Sequence, residues 1–183
     1  MTGRPVSTGR MFEMRRLLLY AGVLCGAASS AVAQHSRHRD WWHEKGAAVV
    51  EHEYARNETA CSLFLYNKDQ AVVVTWGYMD VKEICFFDKE WHFQTSQPVA
   101  VDVQVGGTWL RGPVNPGAPG LMGSANQGQV SVPVEQPLDE LLRKATQISV
   151  KLGDRTMSIN VENRRMAARM KAVERCRGML HYR

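Results

Sequence analysis

"PLDELLRKATQISVKLGDRTMSINV", residues 137–161, changes its hydrophobic period midway. Pro137 suits a helix start, where its fixed φ is already correct and its missing N–H costs nothing. Leu138, Leu141, Leu142 and Ala145 then fall on one helical face. After Thr146 the period drops to two. Ile148, Val150 and Leu152 alternate with polar residues, and so do Met157, Ile159 and Val161. Gly153-Asp154 between the two runs supplies the two-residue turn of a hairpin, where positive φ is required.

Downstream, Asn163 is placed to cap a final helix from about Arg164 to Cys176. Met166, Met170, Val173 and Cys176 recur at spacings of 4, 3 and 3 and form its inward stripe. Arg164, Arg165, Arg169, Lys171 and Arg175 cover the remainder and make a basic surface.

Upstream, the pattern is of strands. "ACSLFLY" puts Cys61, Leu63 and Leu65 on one face and Ser62, Phe64 and Tyr66 on the other. "NKDQ" is a turn, and "AVVVTWGY" is β-branched enough for a central strand. "AVVEHEYA", "KEICFF", "EWHFQT", "VAVDVQV" and "QVSVPV" add further short strands. Residues 106–128 hold seven Gly and three Pro and read as one long surface loop with Trp109 and Leu121-Met122 as exposed apolar tips.

These elements imply a single α+β domain over residues 47–178: an antiparallel sheet covered on one face by two helices near the C-terminus. Residues 179–183 read as a tail. Residues 34–46, "QHSRHRDWWHEKG", read as a flexible arm that docks through Trp41 and Trp42.

Residues 1–33 have a different character. From Met14, Arg15 and Arg16 precede an apolar run, Leu17 to Ala33, that ends in Ala31-Val32-Ala33. That is the pattern of a cleaved secretory signal, with Met11 or Met14 as the true start. The run is too short, and too rich in Gly and Ser, for a membrane anchor. Leu24 before Cys25 argues against a lipoprotein signal. The expected location is therefore the periplasm or the cell exterior. Charge is unevenly divided: residues 34–142 hold 8 Lys and Arg against 14 Asp and Glu, whereas residues 143–183 hold 11 against 3. An acidic body carries a basic end.

Export leaves Cys61, Cys85 and Cys176 in an oxidising compartment, and no Cys-x-x-Cys pair supports a zinc or redox site. A Cys61–Cys176 bridge closes the longer loop and joins two inward stripes, so it is favoured; Cys61–Cys85 is the rival. Cys85 is then read as a buried free thiol.

"ACSLFLY", "DKEWHFQ", "LDELLRKATQISVKLGDRTMSINV" and "AARMKAVERC" occur in this order. The order resembles that of a group of small, uncharacterised exported domains of Gram-negative bacteria, over about residues 50–177. The resemblance implies the fold and a first-to-last disulfide, and no chemistry. Cys85 and the Gly/Pro loop depart from that pattern.

No Gly-x-Ser-x-Gly, His-Glu-x-x-His or phosphate-loop motif occurs. The chain therefore reads as non-enzymatic and without a cofactor. It is expected to bind a protein or envelope partner, not nucleic acid, through Arg164, Arg165, Arg169, Lys171, Arg175 and Trp109. Two alternatives stand beside this: an accessory or inhibitor of an envelope enzyme acting through the 106–128 loop, and a weak metal binder using His35, His38 and His43 of the arm.

Overall fold

The computed structural model describes residues 38–54, 58–77, 82–93, 97–110, 121–126, 128–134 and 136–180. They belong to one compact unit, Gln34–Arg183. The strands are β1 (His38–Glu44), β2 (Ala47–Tyr54), β3 (Glu58–Tyr66), β4 (Gln70–Trp76) and β5 (Lys82–Asp88). There follow β6 (Gln97–Val105), β7 (Thr108–Trp109), β8 (Leu121–Asn126), β9 (Gln129–Pro133), β10 (Gln147–Leu152) and β11 (Arg155–Asn160). Helix α1 spans Leu138–Lys144 and helix α2 spans Asn163–Leu180.

The fold is mostly β, and the α+β expectation is corrected: eleven antiparallel strands form one sheet, with one short helix and one C-terminal helix. Its order is β1-β2-β3-β4-β5-β9-β8-β6-β10-β11, with β7 on β6. The N-terminal half of β6 pairs with β8 and the C-terminal half with β10, so this strand carries the sheet around a corner between Val101 and Asp102. Both halves then feed one core. Val49, Leu63, Val74, Ile84 and Val132 are cross-strand neighbours in one row, and Leu65, Val72, Phe86 and Val130 make the next. All of them are buried, together with Val150, Met157 and Ile159 from β10 and β11. Hydrophobic burial is thus supplied largely by the sheet folding over itself.

Two segments account for the difference in fold class, and a third differs in the opposite sense. The 34–46 arm is corrected to an edge strand over His38–Glu44, with Trp41 and Trp42 packed on the core as expected. The 106–128 loop is corrected at both ends. Thr108–Trp109 pairs with β6, and Leu121–Asn126 is an interior strand between β9 and β6; residues 111–120 lie outside the described residues. Leu121 is 5% exposed, not a tip. Gly123 explains why a Gly-containing stretch serves as a strand: a Cβ there would sit 2.5 Å from the Ser131 carbonyl oxygen. "EWHFQT" is not a strand in its described part; Trp91 is buried in a turn after β5.

Other expectations hold. The β10–β11 hairpin turns at Gly153, φ 58°. Asn67 Oδ1 accepts from the amides of Asp69 and Gln70, both at 2.9 Å, which closes the turn between β3 and β4. The last helix runs on to Leu180, past the expected boundaries at 176 and 178, because Leu180 adds a buried rung. Asn163 is its first residue rather than its cap; the amides of Arg165 and Met166 bond the Glu162 carbonyl.

The outer face of β2–β5 is also closed off. Ala48, Val50, Phe64, Val73 and Cys85 are all below 5% exposure. Ser62 and Thr75 share a hydroxyl hydrogen bond of 2.9 Å there. Burial raises the carboxyl pKa of Glu83 on this face, offset in part by the hydroxyl of Ser131.

Candidate functional site

Helix α2 organises the candidate surface. Met166, Met170, Val173, Cys176 and Leu180 are buried along one stripe. Cys176 bonds Cys61 on β3, with S–S 1.97 Å, Cα–Cα 6.0 Å and 115 residues between them. The expected first-to-last bridge is present. The free-thiol reading of Cys85 is corrected: Cys85 is fully buried and is itself disulfide-bonded.

The five cations named on this helix divide into two sets. Arg169 is not on the surface: it is 5% exposed. Its Nε donates to Glu44 Oε1 at 3.0 Å, its Nη2 meets the same oxygen, and its guanidinium lies 5.6 Å from the Trp42 ring centroid. This joins α2 to β1. Arg165 sits 3.5 Å from Glu44 and 2.8 Å from Glu162. Arg164, Lys171 and Arg175 are exposed, and among the described residues no carboxylate lies within ion-pair distance of any of them. With Ala168 and Met179 they trace one stripe at spacings of 4, 3, 4 and 4. Met179 is 40% exposed, an uncovered apolar end to a basic row.

The base of the helix is held by α1. Asp139 accepts from Trp76 Nε1 at 2.8 Å and from Arg177 Nη1 at 2.8 Å, so one carboxylate ties sheet and both helices together. Arg143 pairs with Glu174. These cations hold the packing and leave the row above free.

A cleft of about 340 Å³ opens beside the first turn of α2. Ser158 to Glu162 form one wall, and Lys45, Gly46, Tyr66 and Asn67 face them. Leu65 and Ile159 line its apolar part and Arg165 stands at its rim. Burial raises the Tyr66 phenol pKa, countered in part by a bond to the Gly46 backbone. Its hydroxyl lies 3.5 Å from His43 Nε2. The cleft offers backbone groups, a phenol, amides and cations, which suit binding by hydrogen bond and charge. Nothing in the local sequence announces it, because its walls are more than 90 residues apart along the chain.

The remaining candidates are dispersed. Trp109 is 42% exposed on β7, which pairs only with β6 among the described residues, whereas α2 packs on β1, β2 and β3. His35 lies outside the described residues, and His38 is placed only by its backbone in β1. His43 is exposed beside Tyr66. Among the described residues no three His, Cys, Asp or Glu side chains come together as a metal site. No helix of the described residues is long and apolar enough to cross a membrane. Comparison of the chain with protein-family models, with curated proteins and with solved structures finds no match.

Proposed function

We propose that this chain is an exported, non-enzymatic binding module of the periplasm or cell exterior, akin to the small exported domains of Gram-negative bacteria, and that it docks through the solvent face of α2. The observation that carries the reading is the row Arg164, Lys171 and Arg175, exposed and without acidic partners among the described residues. At 1.5 Å per residue the row is about 17 Å long. A row of that length attracts an anionic macromolecular surface and orients it. The basic head and apolar run of residues 14–33, and the Cys61–Cys176 disulfide within residues 34–183, support export.

Co-sedimentation with isolated cell envelopes tests the docking. The parent protein is expected to bind, and binding to fall as salt rises. The triple variant Arg164→Glu, Lys171→Glu, Arg175→Glu is expected to stay in the supernatant. Equal sedimentation of the two would refute the reading. Intact mass of the non-reduced protein recovered from the periplasm tests export: Gln34 is expected as the first residue, and a chain that still carries Cys25 would refute cleavage there.

A second reading, an accessory or inhibitor of an envelope enzyme, draws on the exposed Trp109. Its variant is Trp109→Ala. Deleting residues 106–128 would remove the interior strand β8 along with the loop.

A further inference from the structure

The two ends of the sheet are unlike. β1, one edge, carries Arg39, Asp40, His43 and Glu44 and has an irregular register between Asp40 and Trp42. Charges and bulges of this kind keep other strands from adding to an edge. β11, the other edge, reads "RTMSIN": its register with β10 is unbroken and it has neither Pro nor a charge after Arg155.

The direction of its backbone groups follows from the ladder. Val161 N–H donates to the Thr146 carbonyl at 2.8 Å, which makes that pair a hydrogen-bonded one. Antiparallel pairs alternate. Ile159 and Met157 therefore also bond toward β10, while the amides and carbonyls of Ser158 and Asn160 point the other way. No described strand pairs with that side. These residues form a wall of the 340 Å³ cleft, so the edge of β11 with which no described strand pairs borders that cleft, with β4 close by.

The facing wall supplies charge. Lys45 is exposed and has no carboxylate within ion-pair distance among the described residues, and Arg165 is 53% exposed at the rim. Glu44 and Glu162 are held by Arg165 and Arg169. Leu65 and Ile159 offer an apolar position between the polar ones.

We propose that the open edge of β11 takes an extended, acidic peptide segment of a partner protein by strand addition. The segment's backbone bonds Ser158 and Asn160, a carboxylate side chain reaches Lys45, and the next residue along lies on Leu65 and Ile159. This surface is separate from the α2 row, so the triple charge reversal there leaves it intact and either reading can fail alone.

Amide NMR of the purified chain tests it, with two blocked peptides as probes: alternating Val-Asp and alternating Val-Lys. The Val-Asp peptide is expected to shift the Ser158 and Asn160 amides and slow their hydrogen exchange about tenfold when the site is filled. It should bind about tenfold tighter than the Val-Lys peptide, and Lys45→Glu should abolish or invert that preference. Ser158→Pro removes an outward donor at an edge position that tolerates Pro, and should lose binding. Should that variant not fold, a Val-Asp peptide N-methylated at alternate amides, tested in both phases, makes the same cut from the ligand side. Equal binding of both peptides at millimolar concentration, or shifts confined to α2, would overturn the proposal. Protection of the Ser158 amide that grows with protein concentration and without peptide would also overturn it, by assigning the edge to a second copy.

Discussion

Replacing Cys61 and Cys176 together by Ala removes the link between β3 and α2. The bridge spans 115 residues. In the chain-entropy treatment a loop of that length restricts the unfolded chain by about 16 cal/mol/K, or about 5 kcal/mol at 25 °C. Each lost sulfur lies at a fully buried position and adds about 1 kcal/mol of transfer and cavity loss. The sum is comparable with the whole stability of an ordinary domain. The helix keeps its other anchors: Met166, Met170, Val173 and Leu180 remain buried, and Arg169 still meets Glu44. The variant is therefore expected to fold, with its Tm lower by about 15–30 °C. Urea unfolding followed by circular dichroism should show a lower midpoint and a larger m-value, because the uncrosslinked chain exposes more surface when unfolded. A loss below about 2 kcal/mol with an unchanged m would refute the account and place the bridge's contribution elsewhere than in the unfolded chain.

Gly123→Ala places a methyl group 2.5 Å from the Ser131 carbonyl oxygen, so β8 or β9 must move. A loss of about 1–3 kcal/mol is expected, with faster amide exchange along the β8–β9 ladder; a change within about 0.5 kcal/mol would show that the ladder gives way freely. Glu83→Gln tests the buried carboxyl. Burial raises its pKa above the ordinary 4.5, so between that value and the raised one the folded chain binds more protons than the unfolded chain. This contribution to stability grows as pH falls through the folded pKa and is complete below the unfolded one. Glu83→Gln should thus be at least as stable as the parent above the raised pKa, and the parent should gain on it as pH falls through that pKa toward the ordinary 4.5. Thermal unfolding at a series of pH values checks this, and a parent that loses ground on acidification would contradict it.

Residues 137–161 show how much of the fold is legible along the chain. The α1 face, the β10–β11 alternation and the Gly153 turn are all present as expected, and so is the buried stripe of α2. Each depends on contacts a few residues apart, where period and turn chemistry act directly. β8 shows the opposite case. Its own residues, "LMGSAN", have little strand preference, and it becomes a strand because β6 and β9 supply its hydrogen bonds. The basic row was legible as residues and only half legible as a surface. Arg169 reads like its neighbours in sequence, and only the position of Glu44, 125 residues away, turns it inward.

The sequence by itself determined the local periods, the turns at Asn67 and Gly153, and the two inward stripes that meet at Cys61 and Cys176. Tertiary structure alone decided that the polar stretch before residue 47 is an edge strand, that a Gly-containing segment lies inside the sheet, that Cys85 is bonded, and that a cleft opens along β11. The physical reason is range. A side-chain stripe is fixed by neighbours three or four residues away, whereas a strand's partners, a buried ion pair and an unpaired edge depend on which distant segments the sheet brings alongside.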